Sequence, residues 1–146
     1  MLYRLIAVLL LSIQISACAD DTTPMVTLGG QQFIVDVADT DETRARGLMF
    51  VREMDDNKGM IFLFDKEEPQ SFWMKNTKIP LDIFYFDKEL KLVSVSENTP
   101  PCRTSRCRSY PSSGPAQYVL ELNAGKAEEL GVSRGSQLTV HNINLE

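Results

Sequence analysis

The chain has 146 residues, 43% hydrophobic and 24% charged, the make-up of one globular domain and not of a disordered or collagen-like polymer. With 15 Lys and Arg against 20 Asp and Glu the net charge is −5, and no basic block offers nucleic acid an electrostatic footprint. One His and three Cys are too few for a His-rich or four-cysteine metal centre, and no motif calls for a cofactor.

The first element is an address. Arg4 precedes the apolar run Leu5–Ile13, and Ile15-Ser16-Ala17-Cys18 then brings small residues to a cleavage point. Charged head, short apolar middle and small-residue exit are the parts of a secretory signal. A membrane span would need about 20 apolar residues, and this run meets Gln14 and then Asp20-Asp21 well before that. Ile-Ser-Ala-Cys resembles the lipobox of bacterial lipoproteins, which implies acyl chains on Cys18. Two or more such chains anchor a protein stably, whereas one holds it marginally. Ala19, standing where an Asp is associated with inner-membrane retention, favours the outer membrane in a cell that has one. Residues 1–17 are thus expected to be a signal peptide, 18–24 a polar tether, and 25–146 the folded domain. Loss of residues 1–17 leaves 14 basic and 20 acidic residues, a net of −6.

The domain reads as strands. Met25–Leu28 and Gln31–Val37 flank Gly29-Gly30, a two-residue hairpin turn. Phe33, Val35 and Val37 alternate with Gln32, Ile34 and Asp36. Asp39–Leu48 predicts a short helix capped by Asp39 or Thr40 and stopped at Gly47. Met60–Phe64 is a strand, Asp65–Gln70 a charged turn, and Ser71–Asn76 and Leu81–Phe86 two further strands. Leu90–Ser96 and Gln117–Leu122 follow. Asn123 is expected to cap a helix over Ala124–Leu130, and Gln137–Ile143 to close the domain. Eight short strands and two short helices predict an all-β single domain, a compact sandwich or small barrel.

Cys102 and Cys107 can pair if Cys18 is lipidated, and an oxidising compartment would keep the bridge. So small a loop gains only about 2 kcal/mol, so the bridge mainly shapes the segment 98–115, which holds four of the seven prolines. A redox pair is the alternative, with Arg103, Arg106 and Arg108 lowering a thiol pKa, although the spacing is C-x₄-C and not C-x-x-C. Those arginines either receive an acidic ligand or are plain solvated charge.

Ser71–Thr77 followed by Pro80-Leu81-Asp82 is the densest chemical stretch. On a strand, Trp73, Lys75 and Thr77 share one face and Phe72, Met74 and Asn76 the other. A ligand pocket with an aromatic wall would draw on Arg46, Trp73, Lys75, Asn76, Asp82 and Glu97. The competing reading makes Trp73 core and leaves Lys75 and Asp82 as edge charges. Asp82 and Glu97 are the acid–base candidates for hydrolysis of a glycan. His141, alone in a terminal strand, reads as surface or satisfied core. Nothing resembles a nucleophile elbow or a zinc-binding helix. Asp55–Gly59 lacks the spacing of a calcium loop.

Taken together, Arg44–Phe50, Gly59–Phe62, Phe72–Thr77, Pro80–Asp82, Pro101-Cys102, Cys107, Tyr110 and Val119–Gly125 resemble, in order, the DUF192 family. The resemblance spans nearly the whole domain and implies a β-rich, jelly-roll-like fold, commonly exported, with no activity attached. Val51 separates Phe50 from Arg52, where an Arg often follows the aromatic directly, and Arg134 stands where Pro is frequent. The functional expectation is a lipid-anchored binding or accessory module of the cell envelope, with a glycan or acidic ligand and no nucleic acid. An envelope hydrolase using Asp82 and Glu97, or a purely structural lipoprotein, is the alternative.

Overall fold

The computed structural model describes residues 22–145. The expected signal segment 1–17, Cys18 and residues 19–21 of the expected tether lie outside the described residues. Seven strands form one curled sheet: β1 (Met25–Leu28), β2 (Gln31–Ala38), β3 (Lys58–Trp73), β4 (Leu81–Phe86), β5 (Leu92–Thr99), β6 (Ser109–Asn123) and β7 (Thr139–His141), with helices α1 (Asp41–Arg46) and α2 (Lys126–Leu130). The spatial order is β5-β4-β6-β3-β2-β1-β7. The sheet curls until β6 returns against β5, where the Ser113 N–H donates to Ser94 Oγ at 3.0 Å. It is the half-barrel form of the expected all-β domain.

Local chemistry explains the elements. Gly29 and Gly30 take φ of 57° and 80°, the positive values a tight hairpin needs at both turn positions. Thr40 caps α1 in a reciprocal capping box with Thr43. The helix is confined to Asp41–Arg46 and carries the chain from β2 to a parallel β3, with Val35 opposite Gly59 and Val37 opposite Ile61. All other strand pairs are antiparallel.

Four expectations are corrected. Asp65–Gln70 is not a turn: it continues β3 through two register shifts, which accommodate Pro69 and merge two expected strands into one. Pro111 and Pro115 lie in β6 rather than in a loop. In this half β6 pairs with β3 alone, since β4 covers only Tyr118–Asn123, so a missing N–H breaks no ladder on the other side. Asn123 does not cap α2. Gly125 holds that position at φ 92°, and the Asn123 side-chain amide donates to the Met54 carbonyl at 2.9 Å. The last strand is shorter than expected, Thr139–His141, with the His141 ring 3.1 Å from the Thr27 hydroxyl.

Every residue of β4 is buried, because the curled sheet carries a hydrophobic core on each face. One core gathers Phe33, Phe84, Phe86, Leu120 and Leu122 with Ala127 of α2. The other gathers Met60, Phe62, Met74, Ile83, Tyr85 and Val119. Strand alternation thus sends Asp82 towards the first core and Glu121 towards the second.

Candidate functional site: a pocket over Glu121

Trp73 is the last residue of β3 and is 51% exposed, whereas Met74 turns back into the core. Beyond it the chain tightens: Thr77 N–H donates to the Met74 carbonyl, and Asn76 adopts a left-handed φ of 56°. The Asn76 carbonyl accepts from Phe50 N–H at 2.9 Å, and Phe50 is itself left-handed at φ 68°. Two backbone conformations that L-residues seldom adopt therefore interlock, and residues 44–49 face residues 73–77 across a small pocket. Its volume is about 30 Å3, room for roughly two waters.

Glu121 lines this pocket with Arg46, Trp73, Lys75 and Thr77. It is 4% exposed and lies between Met60 of β3 and Ile83 of β4. Gly59 lets β3 approach this closely, for a Cβ there would fall 2.6 Å from the Glu121 carbonyl oxygen. Among the described residues no hydrogen bond or ion pair reaches the Glu121 carboxyl. Among the described residues every fully enclosed side-chain nitrogen or oxygen has a partner, and Glu121 lines the pocket. Burial pushes this carboxyl up to about 8, because desolvation penalises the charged form. At neutral pH it is a hydroxyl donor as well as an acceptor.

The cations around the pocket differ. Arg44 is committed to the Leu63 carbonyl at 2.7 Å and to Asp41. Lys75 holds its ammonium 4.9 Å from the centre of the Trp73 ring. No ion pair engages Lys75 or Arg46 among the described residues.

The residues proposed from sequence therefore divide. Arg46, Trp73 and Lys75 come together, and Asn76 braces them from behind. Asp82 lies on the opposite face, fully buried, with its two oxygens accepting the N–H of Asn98 at 2.7 Å and of Ala127 at 2.8 Å. It holds the start of α2 and meets no solvent. Glu97 lines a separate groove of about 540 Å3, with Met74, Pro100, Arg103, Arg108 and Tyr110. Cys102, which lines that groove, is disulfide-bonded to Cys107. Glu121 itself was not singled out from sequence. Its signal is a lone charge inside Val119-Leu120-Glu121-Leu122, on a strand buried on both faces.

A small all-β domain, its curled sheet forming a half-barrel with cavities at the strand ends, is the class of protein this chain represents, and comparison with known proteins places it further. The family model for DUF192, described as "Uncharacterized ACR, COG1430", matches residues 24–140; the chain belongs to this family. It is similar to the crystal structure of a protein of unknown function from Novosphingobium aromaticivorans, at 35% identity and TM-score 0.72, covering 80% of this chain and 83% of that one. It is also similar to a Sinorhizobium meliloti protein described as a candidate transcription regulator, at 32% identity and TM-score 0.73, covering 82% and 93%. No curated protein matches. Every residue lining the Glu121 pocket falls within the sequence strings that carry the family resemblance.

Proposed function

We propose that the chain is a lipid-anchored, envelope-facing binding module whose Glu121 pocket receives the acidic group of an envelope glycan. The observation that carries this reading is the meeting of two cations outside any described ion pair, Arg46 and Lys75, with an exposed Trp73 above a buried Glu121 that no described hydrogen bond reaches. A neutral Glu121 donates its O–H to an incoming oxygen, and the cations balance the ligand's charge. The pocket admits only the tip of a ligand, so the sugar ring would rest outside, on Trp73.

The anchoring half of the reading rests on the lipobox-like Ile15-Ser16-Ala17-Cys18, and the bonded Cys102 and Cys107 fit an oxidising compartment. Hydrolysis by Asp82 and Glu97 is the weaker reading. Asp82 has no exposed oxygen and uses both to hold backbone N–H groups.

The test is the melting temperature of the full chain, extracted in mild detergent, with acidic sugars, neutral sugars, peptidoglycan fragments and anionic lipids. An acidic sugar at a hundred times its dissociation constant adds about 2.7 kcal/mol, a shift of several degrees, and Trp73→Ala abolishes the shift. If acidic sugars give no shift, or the shift survives Trp73→Ala, the reading is wrong.

A further inference from the structure

The Glu121 pocket and the groove beside the disulfide share a wall. Trp73, Lys75 and Thr77 line the first, and Met74, between them, lines the second. Lys75 forms a parallel bridge with Cys102, whose N–H donates to the Met74 carbonyl at 3.3 Å. The backbones bordering the two cavities are thus one strand spacing apart, about 4.8 Å.

The groove's charge is as unusual as its position. From Asn98 to Leu120 the chain has Arg103, Arg106 and Arg108 but no Asp or Glu, in a protein of net charge −5. None of the three joins an ion pair among the described residues. Arg108 holds its guanidinium 5.3 Å from the centre of the Tyr110 ring. Pro100, Pro101 and the Cys102–Cys107 bond restrict the border before any ligand arrives, which lowers the ordering cost of binding. The groove's volume, about 540 Å3, lies in the range of small-molecule sites. The Glu121 pocket is far below it.

Resting on the reading of the Glu121 pocket given above, we infer that the ligand is an acidic polysaccharide, one acid group entering beside Trp73 while the chain crosses the Lys75 ridge and sets further acid groups against Arg103 and Arg108. Glu97, on the groove wall, separates this ligand from other polyanions. Its carboxylate accepts from sugar hydroxyls, donors that a polyphosphate or a DNA backbone does not offer. Pro100 and Tyr110 offer apolar surface to the C–H faces of sugar rings. Engagement of the second site is then intramolecular, so affinity rises with chain length.

Titration calorimetry of the full chain in mild detergent tests this with galacturonic acid, its trimer and its hexamer, against a neutral glucose hexamer and a single-stranded DNA hexamer. The acidic hexamer binds at least tenfold tighter than the monomer, and the double substitution Arg103→Ala/Arg108→Ala brings it back to the monomer's affinity. The double variant keeps the parent's melting temperature, since both side chains are exposed. Equal affinity for monomer and hexamer overturns the spanning ligand and leaves the pocket reading standing. A hexamer whose binding ignores Trp73→Ala, or no binding at all, overturns both. Equal binding of the neutral or the DNA hexamer overturns the acidic polysaccharide.

Discussion

Asp82 and Glu121 stand almost opposite each other on neighbouring strands, for Asp82 pairs with Leu122 and Ile83 with Glu121. One residue of offset sends them to opposite faces. Asp82 finds two backbone donors, whereas Glu121 finds none and titrates near 8 in place of 4.5. Between those values the folded protein holds a proton that the unfolded chain has lost. Stability is therefore unaffected by this group below about pH 4.5, falls as pH rises towards 8, and stays lowered above it, by on the order of 4–5 kcal/mol. Facing the same region, Tyr85 donates its hydroxyl to the Tyr110 carbonyl. Burial raises it well above the ordinary tyrosine range, so it stays neutral throughout this window. Arg46 and Lys75 line the pocket from the other side. Replacing Glu121 by Gln removes the titration. The variant should be more stable than the parent by several kcal/mol at pH 9 and nearly equal to it at pH 4.5, in urea unfolding at each pH. A parent whose stability is flat from pH 5 to 9 would contradict this. Sequence offered Asp82 and Glu97 as the acid–base candidates and passed over Glu121. With both faces of β4 and β6 buried, alternation loses the polar half that tells one face from the other.

At the scale of elements, α2 shows how one buried side chain stands in for a local cap. Five residues make an unstable helix alone, and Gly125 offers no side chain to its first N–H groups. Asp82 reaches across from β4 and accepts from Ala127 while also tying down Asn98 of β5. Asp82→Ala leaves the buried N–H of Ala127 and the part-buried N–H of Asn98 without acceptors, a loss on the order of 3 kcal/mol. Asp82→Asn keeps one acceptor oxygen and should lose about half as much. Urea denaturation measures both, and a loss under about 1 kcal/mol for the alanine variant would rule out this tie. The hairpin, α1 and β4 were legible in the sequence because turn glycines, a capping threonine and a bounded apolar run act locally. The continuity of β3 and β6 was not. Charged residues 65–68 and Pro69, Pro111 and Pro115 are ordinary loop signals, and only the tertiary arrangement leaves that half of β6 paired with β3 alone. The pocket was half legible: Trp73 and Lys75 show their shared face, but Glu121 lies far along the chain and joins them only through the β3–β6 pairing.

For the whole molecule, the distance between anchor and domain limits what the site can meet. Seven residues, 18–24, separate the Cys18 end from β1, and fully extended they span at most about 25 Å. A domain of this size has a radius of gyration near 14 Å. If Cys18 carries acyl chains, the pocket works within the layer next to the bilayer, where a long ligand comes within reach more readily than a freely diffusing monomer. The same placement would account for the Cys102–Cys107 bond, because export would deliver both cysteines to an oxidising compartment. Cys18→Ser separates these consequences. With the acyl chains gone, the protein should leave the membrane fraction, and if uncleaved signal remains it should be readable as extra mass at the N-terminus. Parent protein should lack residues 1–17, gain the mass of its lipids, and resist alkylation at Cys102 and Cys107 until reduced. A native chain that retains Met1 and a free thiol at Cys18, with Cys102 and Cys107 open to alkylation, would remove the anchor and the reason for the disulfide together. The Glu121 pocket would then have to find its ligand in another compartment.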